Sequence, residues 1–320
     1  MITVYVHRQG RTEIAPALDP SWLRPESGVT VWVDLAAPSE EELRVLADPF
    51  HFHPLAIEDA IAKVHYPKIE AYDGYLYLIL HGIDYTRSKD AFATHDTDFF
   101  LGPNYLVTIH DGQTRSVAAV HDVCARNDQV LAEGPGALMH RIIDRMVDNY
   151  RPELEELETW LDEIEGDVFA SRPRKGIVRE ILQVKRDVTG LRRIATPQRD
   201  AISRLARRDF VIIGQELSYR FRDVYDNLVR IADEALIFQD RVTSLLEAHL
   251  SSVSNRLNEV MKKLTMLTAI AVPFTIVGGL YGMNVTLPGA HNAHAFWWVL
   301  GVTLASLAGV LYLYRRDSEP

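Results

Sequence analysis

Residues 264–314, LTMLTAIAVPFTIVGGLYGMNVTLPGAHNAHAFWWVLGVTLASLAGVLYLY, contain no Asp, Glu, Lys or Arg. Lys262 and Lys263 stand immediately before this run, and Arg315 and Arg316 immediately after it. Its middle holds Tyr281-Gly282-Met283-Asn284 and then Pro288, Gly289, His291, Asn292 and His294, which are turn-forming and polar residues. The pattern predicts two membrane-spanning helices, 264–281 and 295–314, joined by a tight outer loop, 282–294. At 1.5 Å per residue the first is roughly 26 Å long, near the lower limit for a hydrocarbon core, and the second about 30 Å. A buried hairpin of a soluble protein is the competing reading, and it does not call for basic residues at both ends. The loop has no Lys or Arg, so the positive-inside rule places both termini, including the short tail 315–320, in the cytoplasm. Trp297 and Trp298 fall where an interfacial aromatic belt belongs.

The remainder of the chain is aqueous in character. It has 320 residues, 47% of them apolar, and a formal net charge of -10. That charge argues against nucleic acid as a partner. A single cysteine, Cys124, rules out an intrachain disulfide and agrees with a reducing compartment. The N-terminus, Met-Ile-Thr-Val-Tyr-Val, lacks a basic region followed by an apolar core, so no signal peptide is expected.

Residues 1–133 read as a mixed α/β domain. Short β-branched or aromatic runs at 2–7, 29–35, 75–80, 98–101 and 105–109 predict strands, with Gly102-Pro103-Asn104 as a hairpin turn. Ser39 ahead of Glu40, Glu41 and Glu42 predicts a capped helix start, and 53–62 a second short helix. His51, His53, His65, His81, His95 and His110 lack metal-ligand spacing and read as surface or packing residues. Gly134-Pro135-Gly136 breaks the chain, and 134–214 reads as a helical hairpin region. In it, 137–170 is one long amphipathic pattern, Pro173 opens a helix to about 194, and Pro197 opens another to about 208.

From 215 to 272 there is neither Gly nor Pro. A helix running from 215 to 280 would be roughly 100 Å long, a stalk (215–263) continuous with the first span. Along it Asn258, Met261, Thr265, Thr268, Val272, Thr275 and Gly279 recur at alternating steps of three and four. This is a heptad seam of mostly polar or small residues, while Leu267, Ile270, Phe274 and Ile276 lie elsewhere. It reads either as close helix–helix packing or as the lining of a pore formed by several copies. Pro273 frees the carbonyl of Ala269 in its midst.

Here the chain resembles the CorA family of divalent-cation transporters. The resemblance rests on Tyr281-Gly282-Met283-Asn284 at the end of the first of two terminal spans and on the long helix before it. It extends to 258–265, 222–226, 67–70 and 98–110. It implies a homopentamer in the cell membrane, with a funnel-shaped cytoplasmic domain and the first span around the pore. Gly282, Met283 and Asn284 would form the outer mouth, with the Asn284 ring receiving hydrated Mg²⁺, and often Co²⁺ or Ni²⁺. The position of Asp223 would bind regulatory Mg²⁺ between subunits, with Asp84 as the candidate acidic partner. Amide and hydroxyl oxygens of Asn284, Thr275 and Asn258 suit a cation that keeps its water. Met261, Leu264 and Val272 would form apolar constrictions.

One departure concerns the loop. Many members carry a Glu after the motif, whereas 285–294 has no acid and offers His291 and His294 instead. Histidine favours Zn²⁺, Ni²⁺ or Co²⁺, so zinc transport is the alternative cargo. A membrane-tethered enzyme or sensor is a reading of another class. No P-loop, no Gly-x-Ser-x-Gly and no catalytic metal cluster supports it, and an enzyme is not expected.

Overall fold

The computed structural model describes residues 1–62, 66–84, 93–170, 174–283 and 294–316. The chain divides into two compact units, Met1–Leu246 and Glu247–Pro320.

The first unit is built on a sheet of seven strands: β1 (Ile2–Arg8), β2 (Arg11–Ala15), β3 (Thr30–Ala36), β4 (Lys68–Tyr72), β5 (Tyr75–Asp84), β6 (Ala93–Leu101) and β7 (Tyr105–His110). Their order is β2-β1-β3-β7-β6-β5-β4. The β3–β7 pair is parallel, with Val33 opposite Val107, and the other neighbours are antiparallel. Alternation along the central strands sends Val31, Val33 and Leu35 to one face, where they pack with Phe50, Phe52 and Ala56 from around α1 (Arg44–Ala47) and α2 (Pro54–Ile61). Trp32, Asp34 and Thr108 point to the other face, which α3 (Arg115–Cys124), α4 (Gln129–Ala132) and α5 (Pro135–Asp148) cover.

The predicted strands are all present, and β5 and β6 run further toward each other than the sequence suggests. The strands β2 and β4 are additions. Both are short edge strands with polar residues, Arg11-Thr12-Glu13 and Lys68-Ile69-Glu70, so their composition hides them. Several local expectations appear as hydrogen bonds. Ser39 and Glu42 bond reciprocally, with Glu42 N–H donating to Ser39 Oγ at 3.3 Å and Ser39 N–H to Glu42 Oε2 at 2.9 Å, but they close a turn and not the expected helix start, since α1 begins at Arg44. His53 caps α2 by accepting from Leu55 N–H at 3.2 Å. At the β6–β7 turn a Cβ on Gly102 would lie 2.2 Å from the Tyr105 ring, so only glycine fits.

The helices that follow are α6 (Tyr150–Phe169), α7 (Ile177–Ala206) and the first part of α8 (Gln215–Tyr281). Two predicted boundaries are wrong. The single pattern over 137–170 is two helices, because Pro152 has no N–H to give and its ring meets the carbonyl of Asp148, where α5 ends. Conversely, α7 runs unbroken through Pro197. Buried Ile194, Ala195, Gln198 and Ala201 hold both sides of the proline in the core. Gln198 also ties the helix down, with Oε1 accepting from His81 N–H at 2.5 Å and Nε2 donating to Tyr150 Oη at 2.8 Å. On α8, Phe221, Val224, Leu228, Ile231, Ala235, Phe238, Val242 and Leu245 are buried in a 3.5-residue repeat, and the Phe221 ring meets His140 of α5 edge-on.

The second unit contains the remainder of α8 and the helix α9 (Ala295–Arg316). The α8 segment contains an apolar stretch long enough to cross a membrane, and 297–310 of α9 is a second, shorter apolar stretch.

Candidate functional site

From 247 to 280 no residue of α8 is buried. The least exposed positions of its apolar part are Met266, Ala269, Ile270, Pro273 and Val277. On α9 the covered positions are Val299, Leu300, Thr303, Leu307 and Val310. Both sets step by three and four, the pattern of two helices packed along a stripe.

The predicted seam lies on another side of α8. Asn258, Met261, Leu264, Thr265, Thr268, Val272, Thr275 and Gly279 are all exposed, Met261 by 53% and Val272 by 45%. At about 100° per residue, the centre of the seam is roughly 125° around the helix from the half-covered stripe, and Leu264 stands about 70° to one side of that centre. The seam is therefore free of the chain's own α9. Beside it runs a second exposed stripe, Leu250, Val253, Leu257, Val260, Leu264 and Leu267, again at steps of three and four. Its first four members precede Lys262 and Lys263, in the part of α8 read as aqueous.

Two threonines of the seam, Thr268 and Thr275, are committed as donors and open as acceptors. Thr268 Oγ1 donates to the Leu264 carbonyl and Thr275 Oγ1 to the Ala271 carbonyl, each at 2.9 Å. With the proton turned back into the helix, the hydroxyl lone pairs are left for an outside donor, such as the water of a hydrated cation. The helix crosses Pro273 without ending and stops at Tyr281. Gly282 N–H closes the last turn on the Gly278 carbonyl at 2.9 Å, and a Cβ on Gly282 would stand 3.1 Å from that same oxygen. The first residue of Gly-Met-Asn is thus set by a close backbone approach. Met283 is 58% exposed. Asn284 and His291 lie outside the described residues. His294 is exposed at the start of α9, its carbonyl accepting from Trp298 N–H at 3.1 Å.

In the first unit, Asp223 is exposed on α8. It faces α5, where burial and the charges of Asp148 and Asp223 push the Asp144 carboxyl up against the opposing pull of His140. His140, Asp144 and Asp148 follow each other at four-residue steps, a signal visible in the sequence but not read there. Among the described residues, no group of three or more His, Cys, Asp or Glu is disposed to hold a metal ion. Of Asp84 only the backbone is described, at the end of β5 opposite Ala93; its side chain lies outside the described residues.

Sequence reasoning also missed a polar knot in the sheet. Asp34, buried between β1 and β7, accepts from His121 Nε2 at 2.7 Å, from His110 Nε2 at 3.3 Å and from Thr108 Oγ1. Gly112 N–H donates to His110 Nδ1 at 3.0 Å, which leaves the proton of a neutral His110 on Nε2, facing Asp34. Burial alone would raise the Asp34 carboxyl; the two histidines and Thr108 outweigh it and hold it at about 2.

A sheet domain with a helical layer, a long helix running into an apolar segment long enough to cross a membrane, and a second, shorter apolar helix are the parts of a protein of the membrane-transporter class. The chain belongs to the CorA-like Mg2+ transporter protein family, whose model matches residues 27–316. The cobalt/magnesium transport protein CorA of Thermotoga maritima is 31% identical over 297 residues, covering 92% of this chain and 84% of that protein. The structure of the CorA magnesium transporter from Methanocaldococcus jannaschii has the same fold, with a TM-score of 0.82 at 23% identity over 99% of this chain and 98% of that one. The full-length CmaX protein shares it as well, with a TM-score of 0.75 at 22% identity over 98% and 96%.

Proposed function

We propose that this chain carries hydrated Mg²⁺, and with it Co²⁺ or Ni²⁺, across the cell membrane as a homopentamer with both termini in the cytoplasm. The observation that carries this reading is the pair of stripes on α8. A polar seam of Asn258 and four small or hydroxylated positions is exposed, and an apolar stripe from Leu250 to Leu267 is exposed beside it. An apolar stripe in water calls for a partner. When neighbouring copies of α8 cover it, the seam beside it turns toward the common axis. Thr268 and Thr275 then offer oxygen acceptors to the water around the ion, which suits a metal that dehydrates reluctantly. Met261, Leu264 and Val272 supply apolar rings able to gate by dewetting. Asn284 forms the outer ring, on the turn that Gly282 opens. The seam holds no carboxylate, so the driving force is the membrane potential, about 2.3 kcal/mol per charge per 100 mV and twice that for a divalent ion.

Asp223 takes part in a cytoplasmic Mg²⁺ site that closes the pore, with the second carboxylate, Asp84, from the adjoining copy. A site shared between copies does not require three ligands to meet within one chain.

The test is metal uptake by the purified protein in liposomes under an inside-negative potential, comparing Mg²⁺, Co²⁺ and Zn²⁺. Mg²⁺ entry that follows the potential and stops as internal Mg²⁺ rises supports the reading. Zn²⁺ uptake that needs a proton gradient, with little Mg²⁺ movement, overturns it in favour of the zinc alternative and brings His291 and His294 forward. Uptake of neither, with Asn284→Ala indistinguishable from wild type, leaves a tethered soluble domain.

A further inference from the structure

The helix α9 has two sides. Val299, Leu300, Thr303, Leu307 and Val310 form its covered stripe, with Thr303 only 5% exposed. With Thr303 as zero and about 100° per residue, Gly301 and Ala305 point about 160° and 200° away, on the opposite side. Trp297 lies about 120° round and Trp298 about 220°, so one indole stands on each flank of that line. The two indoles are 67% and 75% exposed.

These residues line a shallow groove of about 540 Å³, together with Val302 and, at its polar end, His294. The floor is low because Gly301 has no side chain, and a Cβ built there meets nothing within 4 Å. His294 stands just ahead of α9, about one turn before Trp298, whose N–H its carbonyl accepts at 3.1 Å. An imidazole and an indole N–H donor therefore share one end of a groove that is otherwise apolar.

Length identifies the occupant. From His294 to Ala305 is about 16 Å of helix, and half of a hydrocarbon core is about 15 Å, so the groove spans one leaflet. It starts at the outer end of α9, where tryptophans sit at headgroup level. A helix from another copy would follow the whole line to Tyr312, which is 69% exposed and lies about 180° from Thr303, whereas the groove stops at Ala305.

We propose that the groove holds one acyl chain of an outer-leaflet glycerophospholipid, with its phosphate and ester oxygens at His294 and the Trp298 indole. The ring N–H groups donate to those oxygens. The chain lies over Gly301 and Ala305 between the two indoles, and gains dispersion contact on three sides. The inference rests on the membrane placement of α9 in the reading above, and not on which cation is carried.

The experiment uses the full-length protein in nanodiscs of phosphatidylethanolamine and phosphatidylglycerol, doped with a phosphatidylglycerol that carries a diazirine in its acyl chain. After illumination, peptide mass spectrometry locates the label on α8 and α9. Label concentrated on Trp298, Val302 and Ala305 is expected. Gly301→Leu fills the floor on the side away from α8, and should lower this labelling by about tenfold, the worth of roughly two methylenes no longer seated. Trp298→Phe keeps a wall and removes the N–H, and should lower it by about fivefold, the worth of one hydrogen bond. Leu304→Ala, outside the groove, should leave it unchanged, and circular dichroism checks the helix content of each variant. Label spread evenly over the exposed positions of α9 and unmoved by Gly301→Leu means ordinary boundary lipid and overturns the site. Disulfide-linked dimers of chains carrying Ala305→Cys put a second copy in the groove and overturn it too; the native Cys124 is buried and does not compete. No label anywhere on α9 overturns the membrane placement itself.

Discussion

The hydroxyl of Thr275 lies 2.9 Å from the carbonyl of Ala271, two residues past Pro273 on the exposed seam of α8. That bond uses the only proton the side chain has and leaves its oxygen an acceptor toward the seam. Thr275→Ser keeps the acceptor, whereas Thr275→Val keeps the shape and removes it. Mg²⁺ uptake into liposomes should be near wild type for the serine variant and lower by about tenfold for the valine, the effect of about one lost hydrogen bond to a charged group's shell. Equal rates for the two would show that the seam packs helices and does not contact the ion's water.

Gly282 ends α8 where a Cβ would stand 3.1 Å from the Gly278 carbonyl. Gly282→Ala forces that carbonyl or the turn to move by a few tenths of an ångström, and Met283 follows from the turn. Uptake should fall at least tenfold while helix content by circular dichroism stays unchanged, since the long helix before the turn is untouched. The neighbouring Gly279→Ala, where nothing lies within 4 Å of the added methyl in one chain, separates crowding at the turn from crowding between copies.

The sequence was legible where period and charge speak together. The charge-free run with basic ends, the polar seam and the central strands around Val31–Leu35 and Tyr105–Ile109 were all read from local pattern. What escaped depends on contacts between residues far apart in the chain. The edge strands β2 and β4 have no apolar alternation because edges are kept polar. Pro197 reads as a helix start until Gln198 is seen bonded to a strand more than a hundred residues earlier. Asp34 carries no local signal and His110 reads as a surface or packing residue, because neither spacing nor composition shows that His121 and Thr108 converge on the same carboxylate. The acidic neighbours of Asp223 on α5 were missed for the same reason, although their four-residue spacing was in view.

Asp34 sets a pH limit on the first unit. Its carboxyl is held at about 2 when folded, below the ordinary value near 4 that it regains on unfolding. A carboxylate depressed in the folded state adds stability that is fully present above the unfolded value and lost as pH falls toward the folded one. The contribution is about 2 kcal/mol at neutral pH and fades between roughly pH 5 and pH 2. Asp34→Asn should therefore lower the thermal midpoint clearly at pH 7, and the gap to wild type should narrow as pH drops through that window. A gap that stays constant with pH would show that the ionised carboxylate is not what the two histidines stabilise.

Asp223 is exposed and close enough to α5 for its charge to raise the Asp144 carboxyl. In a closed ring a divalent cation beside Asp223 would neutralise this concentration of acid, and its loss would leave the carboxylates to repel one another. On that proposal, closing by internal Mg²⁺ would act through the subunit junction and not within the pore itself. Asp223→Asn should raise the internal Mg²⁺ needed for half-inhibition by about tenfold, within the usual range of a coupling between sites, and leave initial uptake at low internal Mg²⁺ unchanged. Asp144→Asn, which removes a repelling charge but no exposed ligand, should move half-inhibition the same way by less. Inhibition curves that superimpose on wild type for Asp223→Asn would remove this residue from regulation and return it to the solvated surface of α8.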